Sequence, residues 1–258
     1  MAVISVCGQK FDIDVVVFDK DGCLFKSKSF WEGLARSRYE KLVEVSDKKV
    51  ALEWLNLVGI KSHLCNDGIL CVDDVDPMGT LAIAPPHEEV IICATVLQQH
   101  MGWQWPQCRE TARKVFEEAD AKLDLASCII PTKGFPDIFE RLHKAGITFG
   151  IATSDDLDRA RRSIKMYSDL DYLAFLITPV DVVNNKPDRE ILDLVASRFN
   201  VDTSRIMMVG DSFVDVQMAQ NAGSVGVGIP EYGFTKERMK PYATVVADSL
   251  DDIVIEEA

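Results

Sequence analysis

The 258-residue sequence contains no uninterrupted apolar run approaching the roughly eighteen residues of a membrane-crossing helix. Its opening stretch, MAVISVCGQKFD, has neither the basic start nor the apolar segment of a secretory signal. Cationic residues are scarce as well, 28 Lys and Arg against 41 Asp and Glu, for a net charge of -13. Binding to nucleic acid or to an anionic membrane requires a basic face that displaces counterions, so neither is expected as a partner. A small anion remains compatible with this charge where a metal ion, a lysine or a helix N-terminus concentrates positive potential locally. Pairs with C-x-x-C spacing are missing too. The seven cysteines are scattered and odd in number, which predicts free thiols in a reducing compartment and a cytoplasmic location. His63, Cys65, Cys71 and Cys108 match no zinc-ligand spacing, so no zinc site is expected there.

What is present is apolar content of 47%, enough for one large core or two modest ones. Short apolar runs bounded by turn residues predict buried strands over 15–18, 147–152, 173–177, 206–209 and 225–229, with one more over 243–247. Segments of helical period over 137–144, 157–166, 187–199 and 215–221 alternate with them, the pattern of a parallel α/β sheet. Gly146, Asn200 and Gly223 stand where those helices should stop. From 26 to 130 the rhythm changes to helices alone, over 30–45, 48–58, 88–101 and 106–125, which predicts an inserted helical module. Residues 66–86, rich in Gly, Asp and Pro, read as a long loop between its halves.

Four strand ends carry polar residues that suit one chemistry. The first strand runs into Asp19, Lys20, Asp21 and Gly22 at the carboxyl edge, where open α/β sheets bind ligands. Asp19 can attack phosphorus, and Asp21 can protonate a leaving alcohol and then activate water. Gly22 allows a sharp turn and a close backbone approach to an anion. Thr153 and Ser154 offer hydroxyl and backbone donors to phosphate oxygens, and Lys186 offers a charge to a transferring phosphoryl group. Asp211 and Asp215 can complete an all-oxygen site with Asp19, suited to magnesium. Each feature has a plainer reading: acidic strand ends and hydroxyls cap helices, and a lysine is usually solvated. Their occurrence in order, each after an apolar strand, favours the chemical reading.

The segments DKDGCL, ATS, NNKP and GDSFVD resemble the four motifs of the haloacid dehalogenase superfamily. The resemblance implies a Rossmann-like parallel core over 1–25 and 131–258. An α-helical cap over 26–130, of the phosphoglycolate phosphatase and β-phosphoglucomutase type, is expected to close over the substrate. It assigns Asp19 as nucleophile and Asp21 as general acid and base. Phosphate binding falls to Thr153 and the adjacent backbone, charge stabilisation to Lys186. Magnesium is implied at Asp19, the Asp21 carbonyl, Asp211 and, directly or through a second shell, Asp215. The implied activity is hydrolysis of a small phosphorylated metabolite, with a phosphomutase or a non-catalytic phospho-ligand binder as alternatives. Cys23, Asp155 and Asp156 depart from the usual motif residues. Cys23 raises the question of oxidant sensitivity, with a buried core thiol as the plainer reading. Lys26, Lys28, Trp31, Lys61 and His63 are candidates for contacting the far end of a substrate.

Overall fold

Three valines and a phenylalanine, Val15–Phe18, form the central strand, as β-branched and aromatic residues favour extended backbone. All four are at most 1% exposed, as expected of a strand covered on both faces. The computed structural model describes residues 2–256. Its strands are β1 (Ala2–Val6), β2 (Gln9–Ile13), β3 (Val15–Phe18), β4 (Ile60–Leu64), β5 (Leu70–Val75) and β6 (Thr148–Ala152). They continue with β7 (Phe175–Ile177), β8 (Ile206–Gly210), β9 (Val225–Gly228), β10 (Val245–Val246) and β11 (Ile253–Ile255).

The expected parallel sheet is present in the order β10-β9-β8-β3-β6-β7, with every neighbouring pair parallel. From β3 the chain adds strands first on one side and later on the other. This makes the carboxyl edge beside β3 the topological switch point, where such sheets open a crevice. Val15 and Val17 pack with Ile191, Leu192 and Met218 from the helices Glu190–Phe199 and Phe213–Ala222. Phe18, pointing the other way, meets Phe139 of the helix Asp137–Lys144 with ring centroids 5.4 Å apart. Burying each such side chain contributes about 1.5–3 kcal/mol, so a charge at Val17 would destabilise the sheet.

Two elements of the fold are absent from the sequence reading. β1, β2 and β11 form a separate antiparallel sheet, built from segments of five, five and three residues that lie at opposite ends of the sequence. Within 66–86, read as a loop, the chain forms β5 and the short helix Thr80–Ile83, and β5 pairs with β4 as a hairpin.

The chain divides into two compact units, one comprising Met1–Ser27 and Ile130–Ala258, the other Lys28–Ile129. The second contains the hairpin and the helices Ser27–Val45, Lys48–Leu57, Pro86–Met101 and Trp105–Lys122, apart from the first residue of the first helix. Among the described residues, no helix is long and apolar enough to cross a membrane.

Candidate active site

Parallel register sets the site. Phe18 lies level with Val209 of β8 on one side and Ile151 of β6 on the other. The residues just beyond these three strands, Asp19, Asp211 and Thr153, therefore leave the sheet at one edge. The Asp19 amide still donates to the Val209 carbonyl at 2.8 Å, and the Thr153 amide to the Ile177 carbonyl at 3.0 Å. Asp215 sits in the first turn of the helix Phe213–Ala222. Its Oδ2 accepts from the Ser212 hydroxyl at 2.6 Å and the Ser212 amide at 3.2 Å, a capping box that fixes the carboxylate.

Asp19, Asp211 and Asp215 are all buried, and one ligand oxygen from each lies within 4.8 Å of the other two. Lys186 bridges two of them, with Nζ donating to Asp19 Oδ1 at 2.6 Å and to Asp215 Oδ1 at 2.7 Å. It belongs to the turn before the helix Glu190–Phe199, which starts three residues later than its sequence suggests. Burial alone would lower the Lys186 pKa, but the carboxylates of Asp19 and Asp215 outweigh it and hold the ammonium charged. Burial raises the Asp19 carboxyl to about 7, with Lys186 pulling against it and Asp215 adding to it. Asp211 is pushed well above its ordinary value by burial and by the charges of Asp19, Asp215 and Glu231. Three carboxyl groups buried beside a single ammonium resist carrying full charge together, and their oxygens form a hard donor set. That combination fits a divalent cation such as magnesium.

Asp21 lies outside this cluster. Its Oδ1 accepts from the ammonium of Lys20, a fully buried lysine whose Nζ also lies 2.9 Å from Asp155 Oδ2. Asp155 in turn accepts from Arg159 Nε at 2.7 Å. Burial would raise the Asp155 carboxyl, yet Lys20 and Arg159 together hold it well below the ordinary range. Asp21 moves the other way, raised by burial against the pull of Lys20. Sequence reasoning missed Lys20 and Arg159. The available signals were a lysine between two aspartates at a strand end and an arginine four residues after Asp155.

Gly22 adopts φ +92°, and a Cβ there would fall 2.0 Å from Asp211 Oδ2. Its amide donates to the Phe25 carbonyl at 2.6 Å, so the absent side chain serves to admit the Asp211 carboxylate. Thr153 is buried, and its Oγ1 accepts from the Asp155 amide at 3.1 Å, while Ser154 is exposed. Cys23 is fully buried, with Sγ 3.5 Å from the Val209 carbonyl, and burial with the nearby aspartates raises its thiol far above the ordinary value. It is a core residue. Trp31 is buried, Lys26 is exposed, and Lys28, Lys61 and His63 face Glu32, Asp74 and Asp73 respectively. The expectation of seven free thiols is corrected at Cys65 and Cys71, which form a disulfide. Hairpin pairing brings them together, and a six-residue spacing does not announce it.

The family model for haloacid dehalogenase-like hydrolases matches residues 13–223. The chain belongs to this family. Among curated relatives, it is 26% identical over 127 residues to N-acetylmuramic acid 6-phosphate phosphatase of Pseudomonas aeruginosa, covering 48% of this chain and 56% of that protein. It is 32% identical over 118 residues to phosphoglycolate phosphatase of Salmonella typhi, covering 46% and 44%. The chain thus spans about half the length of the curated relatives it matches. Among solved structures, a predicted phosphoglycolate phosphatase from Haemophilus somnus 129PT shares the fold, with a TM-score of 0.67 at 16% identity over 93% of this chain and 96% of that one.

Proposed function

We propose that this haloacid dehalogenase-like protein hydrolyses a small phosphate monoester through a covalent aspartyl phosphate on Asp19. The observation that carries the reading is the convergence of Asp19, Asp211, Asp215 and Lys186 at the carboxyl edge of the central strand. Asp19 attacks phosphorus in line with the departing alcohol, and the P–O bond to that alcohol breaks. Asp21, whose carboxyl is raised by burial, gives the alcohol its proton. Water then attacks the phosphorus of the aspartyl phosphate, Asp21 takes up the water proton, and inorganic phosphate leaves with Asp19 restored. Lys186 holds the Asp19 carboxylate oriented and supplies charge next to the transferring group. Thr153 and Ser154 serve the phosphate oxygens.

Asp19, Asp211 and Asp215, with the Asp21 carbonyl, would hold magnesium. Bound there, it offsets the repulsion between the carboxylate nucleophile and the phosphate dianion. In this reading the helical unit acts as the cap that selects the substrate. The two curated relatives are named for small sugar- and glycolate-type monoesters, which supports that substrate class.

Phosphate release from a panel of phosphorylated sugars and hydroxy acids, with and without magnesium, tests the proposal. Native protein should turn over at least one substrate, lose that turnover on chelation and regain it with magnesium, while Asp19→Asn stays inactive. Turnover that persists in Asp19→Asn would refute the mechanism.

A further inference from the structure

The hairpin β4–β5 presents a second cluster of ligating side chains, in the helical unit and separate from the acidic site. His63 pairs directly across from Cys71, and Cys65 follows His63 by two positions on the same strand face. Beyond Leu64 the Cys65 amide donates to the Ile69 carbonyl at 2.9 Å, closing the turn. The pairing then skips Asp73, passing from Val72 opposite Ser62 to Asp74 opposite Lys61. At this bulge Asp73 Oδ2 lies 2.9 Å from His63 Nδ1. A carboxylate only accepts, so Nδ1 carries the proton and the lone pair of the neutral ring is left on Nε2. Nε2 faces Cys65 Sγ at 3.6 Å, and Cys65 is bonded to Cys71 with their Cα atoms 6.0 Å apart. Sulfur in a disulfide has no proton to give, so nothing at that sulfur satisfies the Nε2 lone pair.

We propose that reduction of the Cys65–Cys71 disulfide turns this hairpin into a binding site for one thiophilic cation of the zinc type. Its ligands are His63 Nε2, Cys65 Sγ and Cys71 Sγ, with the fourth position open to water. One donor atom from each of the three residues already lies within 4.8 Å of the others. A tetrahedral zinc ion with ordinary bond lengths places a nitrogen and a sulfur ligand about 3.6 Å apart, the separation found between Nε2 and Cys65 Sγ. Asp73 then acts as the outer carboxylate that orients a metal-binding histidine. His63 is exposed and both cysteines are half-buried, so the sulfurs can separate by side-chain rotation. Cys108, the fourth candidate in the sequence, is buried in the helix Trp105–Lys122, its Sγ 3.6 Å from the Trp103 carbonyl. In the switching step an external dithiol supplies two electrons and two protons. The S–S bond breaks, two thiols form, and the dithiol closes to its own disulfide. The incoming cation releases both thiol protons to solvent.

Cobalt(II) titration of the full chain tests the proposal, since carboxylates at the acidic site give no sulfur-to-cobalt charge-transfer band. Protein reduced with a water-soluble phosphine should show that band at one equivalent, and zinc should abolish it. Oxidised protein and the double variant Cys65→Ser/Cys71→Ser should lack it. Asp73→Asn should weaken the affinity of the reduced protein about tenfold to a hundredfold. A reduced native protein without the band, a double variant that keeps it, or an Asp73→Asn variant of native affinity would each overturn the proposal. Far-ultraviolet circular dichroism of each variant confirms that the fold is retained before titration.

Discussion

Replacing Gly22 by alanine would place a methyl carbon against the Asp211 carboxylate and force a side chain into a left-handed φ of +92°. Both effects oppose the native backbone, and together they should cost about 2 kcal/mol or more in urea unfolding. Because the carboxylate must shift to relieve the clash, turnover should fall with stability. A Gly22→Ala protein of native stability would contradict the geometry. The Lys20–Asp155–Arg159 network gives a second expectation at this scale. Asp155→Asn leaves two buried cations short of a partner and should cost about 3–5 kcal/mol at pH 7. The folded Asp155 carboxyl is held below its unfolded value, so its stabilisation is complete above about pH 4 and fades as pH falls toward the folded value. The stability gap between native and variant protein should therefore narrow by about 1 kcal/mol between pH 7 and pH 3. A gap that widens in acid would reverse the assignment. Asp19, Asp21, Lys186, Asp211 and Asp215 could be picked out as candidates from the sequence because each lies just after an apolar strand or at the start of a helix. Lys20 could not, because its burial depends on Asp155, which stands at the end of the neighbouring strand.

The elements were legible to different degrees. The strands of the parallel sheet are continuous apolar runs, and the helix Asp137–Lys144 was predicted with the bounds found. The helix Phe213–Ala222 starts two residues earlier than expected, because Ser212 and Asp215 form a reciprocal cap that lies upstream of the apolar periodicity. Ser212→Ala removes one half of that cap and should cost about 1 kcal/mol in thermal unfolding. It also removes the closer of the two donors to Asp215 Oδ2, so turnover should drop by more than the stability loss explains, and unchanged kinetics would argue that the Ser212 amide and Lys186 suffice to fix Asp215. The hairpin β4–β5 escaped notice for a physical reason. Its strands alternate polar and apolar residues only briefly, and Asn66, Asp67 and Gly68 between them were read as part of a loop rather than as the hairpin turn they form.

For the molecule as a whole, a net charge of -13 coexists with a site proposed to accept an anion. The excess of acid is reconciled with that role if part of it is gathered where a cation offsets it, as at Asp19, Asp211 and Asp215. The change of rhythm near 26 and again near 130 was read as a change to helices alone, and the hairpin β4–β5 within that stretch corrects the reading. Which substrate the proposed reaction takes was not legible, since selection depends on side chains whose spacing carries no signature. The central claim is the covalent step on Asp19. Rapid acid quenching of the protein during turnover of its best substrate, followed by peptide mass analysis, tests it directly. A phosphoryl group on the peptide carrying Asp19, absent from Asp19→Asn, is the expected result. Steady phosphate release with Asp19 never labelled, or with the label on another residue, would contradict the account.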